Sequence, residues 1–265
     1  MDEILVKAFL AAVAAGALAG FTGVFIYLLN IPFIGVAGAH SAMAGGVWGM
    51  IAGLNPKITA FAAAIAASVA AGPVSDRAKS NVNIIMAVVF SVVMALAFLG
   101  AALVEGGDAV LAGFIWGNIF MAGFGEIVFM AVLWAATGLW TALNYRKICA
   151  VLVNREIAAA SGINEKLYFY TMLALCGLTV TAGLDIMGGL MIFGLIIIPP
   201  AAASRLTRDL KMFFVLSSAF GALSAAVGCA VSFAFDLPVS ACVVLSAAVL
   251  FLLSFFSVPS RFAGK

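Results

Sequence analysis

The chain has 265 residues, of which 66% are hydrophobic and 9% are charged, and its formal net charge is +2. A soluble domain carries about 25% charged residues, so this composition excludes a water-soluble fold, which would lack a polar surface. The sequence also has no basic stripe of the kind that binds nucleic acid. The protein is therefore expected to lie in a membrane and to contact lipid.

The apolar residues come in runs of roughly 20, the length that crosses a hydrocarbon core about 30 Å thick. Backbone groups in lipid must be satisfied internally, so only helices or a closed barrel can span it. Barrel strands alternate apolar and polar residues, whereas residues 82–104 and 212–235 are apolar on all sides. The sequence therefore predicts an all-α, polytopic transmembrane helix bundle that forms a single domain over residues 1–265.

We predict nine spans, with eight as the alternative count. A shorter apolar stretch, residues 109–119, cannot cross the membrane and is predicted to be re-entrant or interfacial. No basic region followed by a cleavage motif marks the first run, which is therefore expected to be a retained span. In chain order the nine spans cover residues 4–29, 33–54, 58–75, 82–104, 120–142, 167–184, 186–204, 212–235 and 238–258.

The connections between these spans divide into two sets by charge. Basic residues occupy one set, around 77–79, 146–166, 205–211 and 261–265, and acidic residues occupy the other, around 2–3, 105–108, 185 and 236. Because basic loops mark the cytoplasmic side, we expect the N-terminus outside, the C-terminus in the cytoplasm, and a multi-pass location in the cell (inner) membrane. Lys57 is the basic loop residue that falls on the wrong side of this pattern.

Small residues repeat at every fourth position in two of the spans. Gly16 and Gly20 share one predicted helix, and Gly45, Gly49 and Gly53 share another. Glycine at this spacing lets helix backbones approach closely. We interpret both repeats as packing surfaces, with a substrate path or a dimer face as the alternative.

The longest polar connection, residues 144–166, lies on the predicted cytoplasmic side. It contains a short helical sequence between Asn154, a favoured N-cap residue, and Gly162, a favoured helix stop. This segment is too polar to insert into the membrane. We therefore expect it to dock a soluble partner.

Ionisable residues inside spans are costly and are functional candidates by default. His40 lies in the second span, where its imidazole could bind a divalent metal or could hydrogen-bond to a neighbouring helix. Glu126 lies early in the fifth span, where a structural ion pair and a path-lining role are equally open. His40 has no second metal ligand three or four positions away.

Pro199 and Pro200 lie near the cytoplasmic end of the seventh span. Two prolines remove two amide donors, so the pair predicts a helix break, either a simple kink or a gate. No catalytic set and no phosphate-cradling loop occurs in the chain. We expect no enzymatic activity and no bound cofactor.

Taken together and in order, five segments resemble the permease subunits of the zinc/manganese/iron ABC importer family, over nearly the whole chain. The longest of them runs from Gly188-Gly189-Leu190 through Ile198-Pro199-Pro200-Ala201. The cytoplasmic segment is similar to the family's ATPase-coupling loop. The five segments are residues 35–42 around His40, 116–119 around Asn118, 156–163, 188–203 and 236–238.

This resemblance implies a homodimer of permeases that works with two cytoplasmic ATP-binding subunits and an extracellular metal-binding protein. A divalent metal would cross by alternating access, and ATP hydrolysis would take place on the partner chain. The residues implied are His40 as a metal ligand; Ser41, Asn118 and Glu126 along the path; Arg155, Glu156, Ala158, Gly162 and Ile163 for ATPase coupling; and Pro199 and Pro200 for gating.

Three positions depart from the family pattern. Val88 stands near the place in the fourth span where some members carry another histidine. Val36 stands where the family often carries an aspartate four residues before the histidine, and Asn118 replaces the aspartate of a Gly-Asp element. These departures remove oxygen and nitrogen ligands that a divalent cation would use. A permease for a metal chelate, of the corrinoid or siderophore type, is therefore a second hypothesis. A secondary transporter or channel that works without an ATPase is a third.

Overall fold

The apolar runs form helices. The computed structural model of the protein describes residues 2–104, 113, 117 and 119–256, and this part of the chain contains no strand. The all-α class is confirmed. The helices are α1 Asp2–Leu29, α2 Phe33–Ile51, α3 Pro56–Ala78, α4 Val82–Ala102, α5 Phe124–Leu143, α6 Tyr145–Val153, α7 Arg155–Ala160, α8 Glu165–Leu206, α9 Leu210–Phe235 and α10 Val239–Phe256, with a 3-10 turn at Ile119–Met121.

Eight helical segments of the described residues are long and apolar enough to span a membrane. They are α1, α3, α4, α5, α9, α10 and the two halves of α8, Glu165–Leu184 and Ile186–Leu206. The eight segments match the lower of the two predicted counts. Predicted span 33–54 forms α2, whose 19 residues are about 28 Å long. α2 packs against α3, α4 and α8. His40, whose polar side chain lowers the mean hydropathy of α2, is therefore partly buried among helices.

The centre of the bundle is the crossing of α1 with α9. Gly16 and Gly221 face each other so closely that a Cβ on Gly221 would lie 2.1 Å from the carbonyl oxygen of Gly16. The Ser218 hydroxyl then donates to the carbonyl of Ala17 at 2.9 Å. Gly45 and Gly49 in α2 pack equally closely against Thr59 of α3. A Cβ on Gly20 would likewise lie 2.3 Å from the carbonyl oxygen of Ser217. The glycine repeats are therefore confirmed as packing surfaces at positions 16, 20, 45 and 49, whereas Gly53 has open space around it.

A glycine makes the sharp kink in α8. Gly188 has φ 75° and ψ 165°, a combination that is essentially restricted to glycine. The kink brings Gly183 against the side chain of Ile192 and so folds the two halves of α8 towards each other. Gly117, also at positive φ, packs on the kink so that a Cβ there would lie 2.3 Å from the amide nitrogen of Gly188. The two halves consequently act as separate spans.

The predicted helix break at Pro199 and Pro200 is wrong. The backbone stays helical past both prolines as far as Leu206, and the break lies at Gly188 instead. Because Pro200 has no amide proton, the carbonyl of Ile196 loses its helical hydrogen bond. That carbonyl faces Gly23 of α1 so closely that a Cβ on Gly23 would lie 2.1 Å from the carbonyl oxygen. Both prolines are buried in protein, which is where an unpaired carbonyl is tolerated at membrane depth.

Charged side chains gather at the two ends of α3. Lys57, near its start, pairs with Glu126 of α5 at 3.2 Å, whereas Asp76, near its end, pairs with Arg155. The ion pair with Glu126 offsets the charge of Lys57, which explains why this residue departs from the charge pattern. Which end faces the cytoplasm stays a prediction. Residues 105–112 and 257–265 and the charges in them lie outside the described residues.

Candidate functional site

His40 lies midway along α2 and is partly buried. Its Nδ1 lies 2.8 Å from the carbonyl oxygen of Val36, one turn earlier in the same helix. The ring meets Phe90 of α4 edge to face, with centroids 4.9 Å apart. Because Nδ1 is engaged as a donor to a carbonyl, Nε2 is the nitrogen left with a lone pair for a metal.

A cavity of about 320 Å³ opens beside His40, between α2 and the kinked part of α8. The wall of this His40 cavity is mostly apolar, and the backbone of Gly189 forms part of it. No group of three or more His, Cys, Asp or Glu side chains lies together among the described residues. The lining residues are Val36, Ala39, His40, Met43, Leu184, Gly189, Leu190 and Phe193. Such a site can offer a cation one imidazole and otherwise leaves the ion its water ligands.

The structure does not bring the other predicted path residues into this cavity. Ser41 is buried, and its hydroxyl donates back to the carbonyl of Ala37 at 2.7 Å. Glu126 caps the start of α5, where its Oε2 accepts from the amide of Gly123 at 2.6 Å and its Oε1 pairs with Lys57. Asn118 lies outside the described residues. Glu126 therefore makes a structural ion pair, which is one of the two roles that the sequence left open.

The polar connection 144–166, predicted to be cytoplasmic, contains the short helix that the sequence predicts. The side chain of Asn154 accepts from the amides of Glu156 and Ile157 at 2.8 and 3.0 Å, which begins α7. Gly162 has φ 78° and ends it, and the amide of Ile163 bonds back to the carbonyl of Ala158 at 3.1 Å. This is the left-handed glycine termination that favours glycine over all other residues.

Arg155 connects α7 to two long helices. Its Nε donates to Glu165 of α8 at 2.8 Å, and its two terminal nitrogens contact both carboxylate oxygens of Asp76 in α3, at 3.3 and 3.2 Å. The hydroxyl of Tyr170 donates to the same carboxylate at 2.8 Å. The guanidinium also lies 3.9 Å from the ring centroid of Phe169. We call Arg155, Asp76, Glu165 and Tyr170 the Arg155 network.

The charge of Arg155 is secure in this setting. Burial by itself lowers the pKa of the guanidinium, but the hydrogen bonds that it donates to Glu165 and Asp76 outweigh burial and raise that pKa above its ordinary value. A bidentate arginine–carboxylate pair is also the geometrically most specific ion pair that proteins make. The network is therefore a stiff, permanently charged connection between α7, α3 and α8.

The five predicted coupling residues divide into two groups. Glu156 and Gly162 are exposed, whereas Ala158 is buried and Ile163 packs against the core. Arg155 points inwards, to Asp76 and Glu165. The exposed apolar side chains of Val153 and Ile157, 84% and 64% exposed, lie beside Glu156 and were missed. Their signal was the β-branched apolar residue on each side of the polar run 154–156. Such side chains are unfavourable in water unless something covers them.

Sequence reasoning also missed Asp76, Glu165 and Tyr170. Asp76 and Arg155 are 79 positions apart, and no local pattern indicates that they meet. The packing of α3 against α8 brings together the two carboxylates that contact the guanidinium and the phenol that contacts Asp76.

The family assignment rests on the whole sequence. The model of the ABC 3 transport family matches residues 1–258. The chain belongs to this family. The earlier resemblance is confirmed, and as a member of the ABC 3 family the chain is a multi-pass transport subunit of the cell membrane.

Relatives of this ABC 3 family member carry transport names. It is 27% identical over 259 residues to the manganese transport system membrane protein MntC of Listeria monocytogenes, covering 98% of this chain and 92% of that protein. It is 27% identical over 270 residues to the manganese import system permease protein ScaB of Streptococcus pneumoniae, at 99% and 94% coverage. It is 23% identical over 261 residues to the high-affinity zinc uptake system membrane protein ZnuB of Haemophilus influenzae, at 97% and 98% coverage.

Solved structures share the fold of this ABC 3 family member. The structure of PsaBC from Streptococcus pneumoniae in complex with Fab matches with a TM-score of 0.84 and 24% identity, over 98% of this chain and 94% of that chain. An inward-facing metal-chelate type ABC transporter matches with a TM-score of 0.73 and 17% identity, over 96% and 86%. The helical bundle of this chain therefore has the same fold as these two structures.

Proposed function

We propose that this chain is the permease through which an ATP-driven importer moves manganese or zinc across the membrane. The family match over residues 1–258 carries the proposal, and the names of the relatives, which cover manganese and zinc, supply the metals. The chain would work as a homodimer with two cytoplasmic ATP-binding subunits and an extracellular metal-binding protein. ATP hydrolysis would belong to those partner subunits.

The cargo test compares free and chelated metal. A strain with the gene should accumulate radiolabelled manganese or zinc faster than a strain without it. A chelated metal, of the corrinoid or siderophore type, should enter both strains equally. Uptake of the chelate that depends on the gene, with no dependence for the free ions, would favour the chelate permease and overturn the assignment of the metals.

His40 is the residue that we propose contacts the ion. A single imidazole with an otherwise apolar wall holds a divalent cation weakly, which suits an ion that must leave again. Ser41 contributes to the path only by packing, because its hydroxyl is bonded within α2. Glu126 would set the shape of the entrance through its ion pair with Lys57 and would not bind the ion itself.

Replacing His40 with alanine should lower the rate of metal uptake at least roughly tenfold, the loss that even indirect changes to a metal's ligands produce. The matched control is Met43→Leu, which changes a lining residue of the same cavity with almost no change in volume. Initial rates of radiolabelled manganese uptake measure both. If the two variants lose activity equally, transport depends on the shape of the cavity and not on the imidazole of His40.

We infer that α7 docks into the ATP-binding subunit and that the Arg155 network carries its movement into α3 and α8. Val153, Glu156 and Ile157 present an exposed surface outside the spans, which a soluble partner would cover. α3 packs against α2, which holds His40, and α8 lines the His40 cavity. A displacement of α7 would therefore reach both walls of the cavity. Pro199 and Pro200 keep a proposed role in gating, through the close contact of α8 with Gly23.

Gly162→Ala should weaken coupling while the bundle stays folded. Its φ of 78° strains any residue with a Cβ by about 1 kcal/mol, and the termination of α7 would loosen. Gly53→Ala is the control, because Gly53 also has positive φ with open space around it but lies at the opposite end of α3 from the Arg155 network. We expect uptake and transport-linked ATP hydrolysis to fall several-fold for Gly162→Ala only. Equal activity of the two variants would contradict a coupling role for α7.

A further inference from the structure

A basic pocket lies where α5 ends and α6 and α9 begin. Its volume is about 650 Å³, and its lining includes Leu143, Asn144 and Tyr145 together with Arg146, Lys147 and Lys211. This basic pocket is separate from both the His40 cavity and the Arg155 network. None of its residues has a part in the proposed transport mechanism.

In the part of the chain that the structure describes, no carboxylate pairs with the three cations of this pocket. Among the described residues, Arg146, Lys147 and Lys211 form no ion pair; the Lys147 Nζ lies 5.6 Å from the ring centroid of Tyr168 and the Lys211 Nζ lies 5.2 Å from that of Tyr145. Asp209 is close by, but its carboxylate accepts from the amides at the start of α9, at 3.3 and 3.4 Å. The pocket therefore carries net positive charge.

The backbone and neighbouring side chains add to this preference for an anion. The N-terminus of the nine-residue helix α6 begins at the pocket, and the side chain of Asn144 does not cap it. That amide is already committed, since its Nδ2 donates to the carbonyl of Trp140 and its Oδ1 accepts from the hydroxyl of Tyr168. Burial and a hydrogen bond with Cys149 raise the pKa of Tyr145 to about 12, so the phenol stays neutral. A helix N-terminus beside three cations attracts a phosphate.

The surroundings of the pocket point to lipid as the source of that phosphate. α5 is the span with the smallest buried share, 17%, so most of its surface is free to contact lipid. Leu139 and Leu143 of α5 are 61% and 76% exposed, and Met212 and Val215 of α9 are 49% and 61% exposed. These apolar side chains lie on the membrane side of the pocket, where acyl chains would pack. A soluble phosphate or nucleotide would have no use for them.

We propose that this pocket binds the phosphate headgroup of an anionic phospholipid, with Arg146, Lys147 and Lys211 as its ligands and the exposed faces of α5 and α9 against its acyl chains. Basic pockets between transmembrane helices at a membrane surface are known to suit such headgroups. The site depends only on the membrane location of the chain, so it stands whichever ion is transported. The bound lipid would fix the junction of α5 and α6 at the membrane surface.

The test compares two triple variants of the full transporter, purified with its ATP-binding subunit. Arg146→Gln/Lys147→Gln/Lys211→Gln removes the three pocket cations. Arg77→Gln/Lys79→Gln/Lys166→Gln is the control, because it removes the same charge from exposed positions on the same end of the bundle. Native mass spectrometry counts the phosphatidylglycerol molecules that stay bound, with phosphatidylcholine and inorganic phosphate as parallel probes.

We expect the wild-type and control proteins to retain phosphatidylglycerol, and the pocket variant to bind it at least about tenfold more weakly, because each cation near a membrane surface contributes to the attraction. Raising the salt should weaken the wild-type binding in parallel. Equal retention by the two variants, or equal retention of phosphatidylcholine, would overturn the proposal. Displacement of the lipid by millimolar inorganic phosphate would assign the site to a soluble anion. If the pocket variant lost the ATP-binding subunit but retained the lipid, the basic pocket would be a contact surface for that subunit and the proposal would be wrong.

Discussion

Arg155→Ala is expected to reduce ATP-driven uptake by at least roughly tenfold while the bundle stays folded in the membrane. Removing one partner of a buried ion pair costs several kcal/mol of stability when the other charge is left without a partner. Here Asp76 keeps its hydrogen bond from the hydroxyl of Tyr170, and the ion pair is partly exposed. The main loss is therefore mechanical, because α7 is no longer tied to α3 and α8. Initial uptake rates, together with ATP hydrolysis by the same complex, measure it.

The matched control for this experiment is Arg77→Ala. Arg77 follows Asp76 in α3, is exposed and lies at the same end of the bundle. The Arg77→Ala variant therefore loses the same charge without breaking the Arg155 network. Arg155→Lys should be intermediate, because an ammonium cannot reproduce the fork that contacts both oxygens of Asp76. Asp76→Asn combined with Arg155→Ala should do little more harm than Arg155→Ala alone, since both changes break the same contact. Wild-type uptake by Arg155→Ala would exclude a coupling role for the network.

Gly188→Val is expected to have the largest effect on stability. A valine cannot adopt φ 75° and ψ 165° without strain of about 1–3 kcal/mol, and relieving that strain would move the backbone on which Gly117 packs. The two halves of α8 could then no longer fold together, and the wall of the His40 cavity would be lost. Folded, monodisperse protein in detergent should fall to a small fraction of the wild-type yield.

The control for this variant is Gly138→Val in α5. A Cβ on Gly138 meets nothing within 4 Å, and valine has a slightly higher helix propensity than glycine. We expect Gly138→Val to be purified like the wild type. If Gly188→Val is recovered with the same yield and the same thermal midpoint as this control, the account of the α8 kink is wrong.

The class of fold could be predicted because span length and composition are local properties. Runs of apolar residues long enough to cross a bilayer become helices wherever they occur, and the predicted spans overlap the helices of the described residues. The start and stop of α7 were equally local, since Asn154 and Gly162 act within one turn. In such cases a few neighbouring residues decide the structure.

The kink of α8 could not be located by local rules. The sequence offers both Gly188 and the pair Pro199-Pro200, and proline is the stronger helix breaker. The prolines stay helical because Gly23, on a different helix, accommodates the freed carbonyl of Ile196. Gly188 breaks the helix because Gly117, 71 positions earlier in the sequence by its numbering, packs on its backbone. Tertiary contacts reversed the local preference at both positions.

The candidate site shows the same division. His40 could be singled out because an ionisable residue in a span is rare, and the structure places it at a cavity. The Arg155 network and the basic pocket each join residues that are far apart in the sequence, such as Asp76 with Arg155 and Lys147 with Lys211. Sequence patterns indicated that α7 meets a partner, but not which residues connect it to the rest of the bundle.

Reconstitution tests the central claim most directly. The chain is placed in liposomes with or without its ATP-binding subunit, the metal-binding protein is supplied outside, and the rate of radiolabelled manganese or zinc entry is measured with ATP inside. We predict entry only when the ATP-binding subunit and ATP are both present, and a loss of that entry with Arg155→Ala but not with Arg77→Ala. Metal entry at the same rate without the subunit or without ATP would show a channel or secondary transporter and would contradict the account.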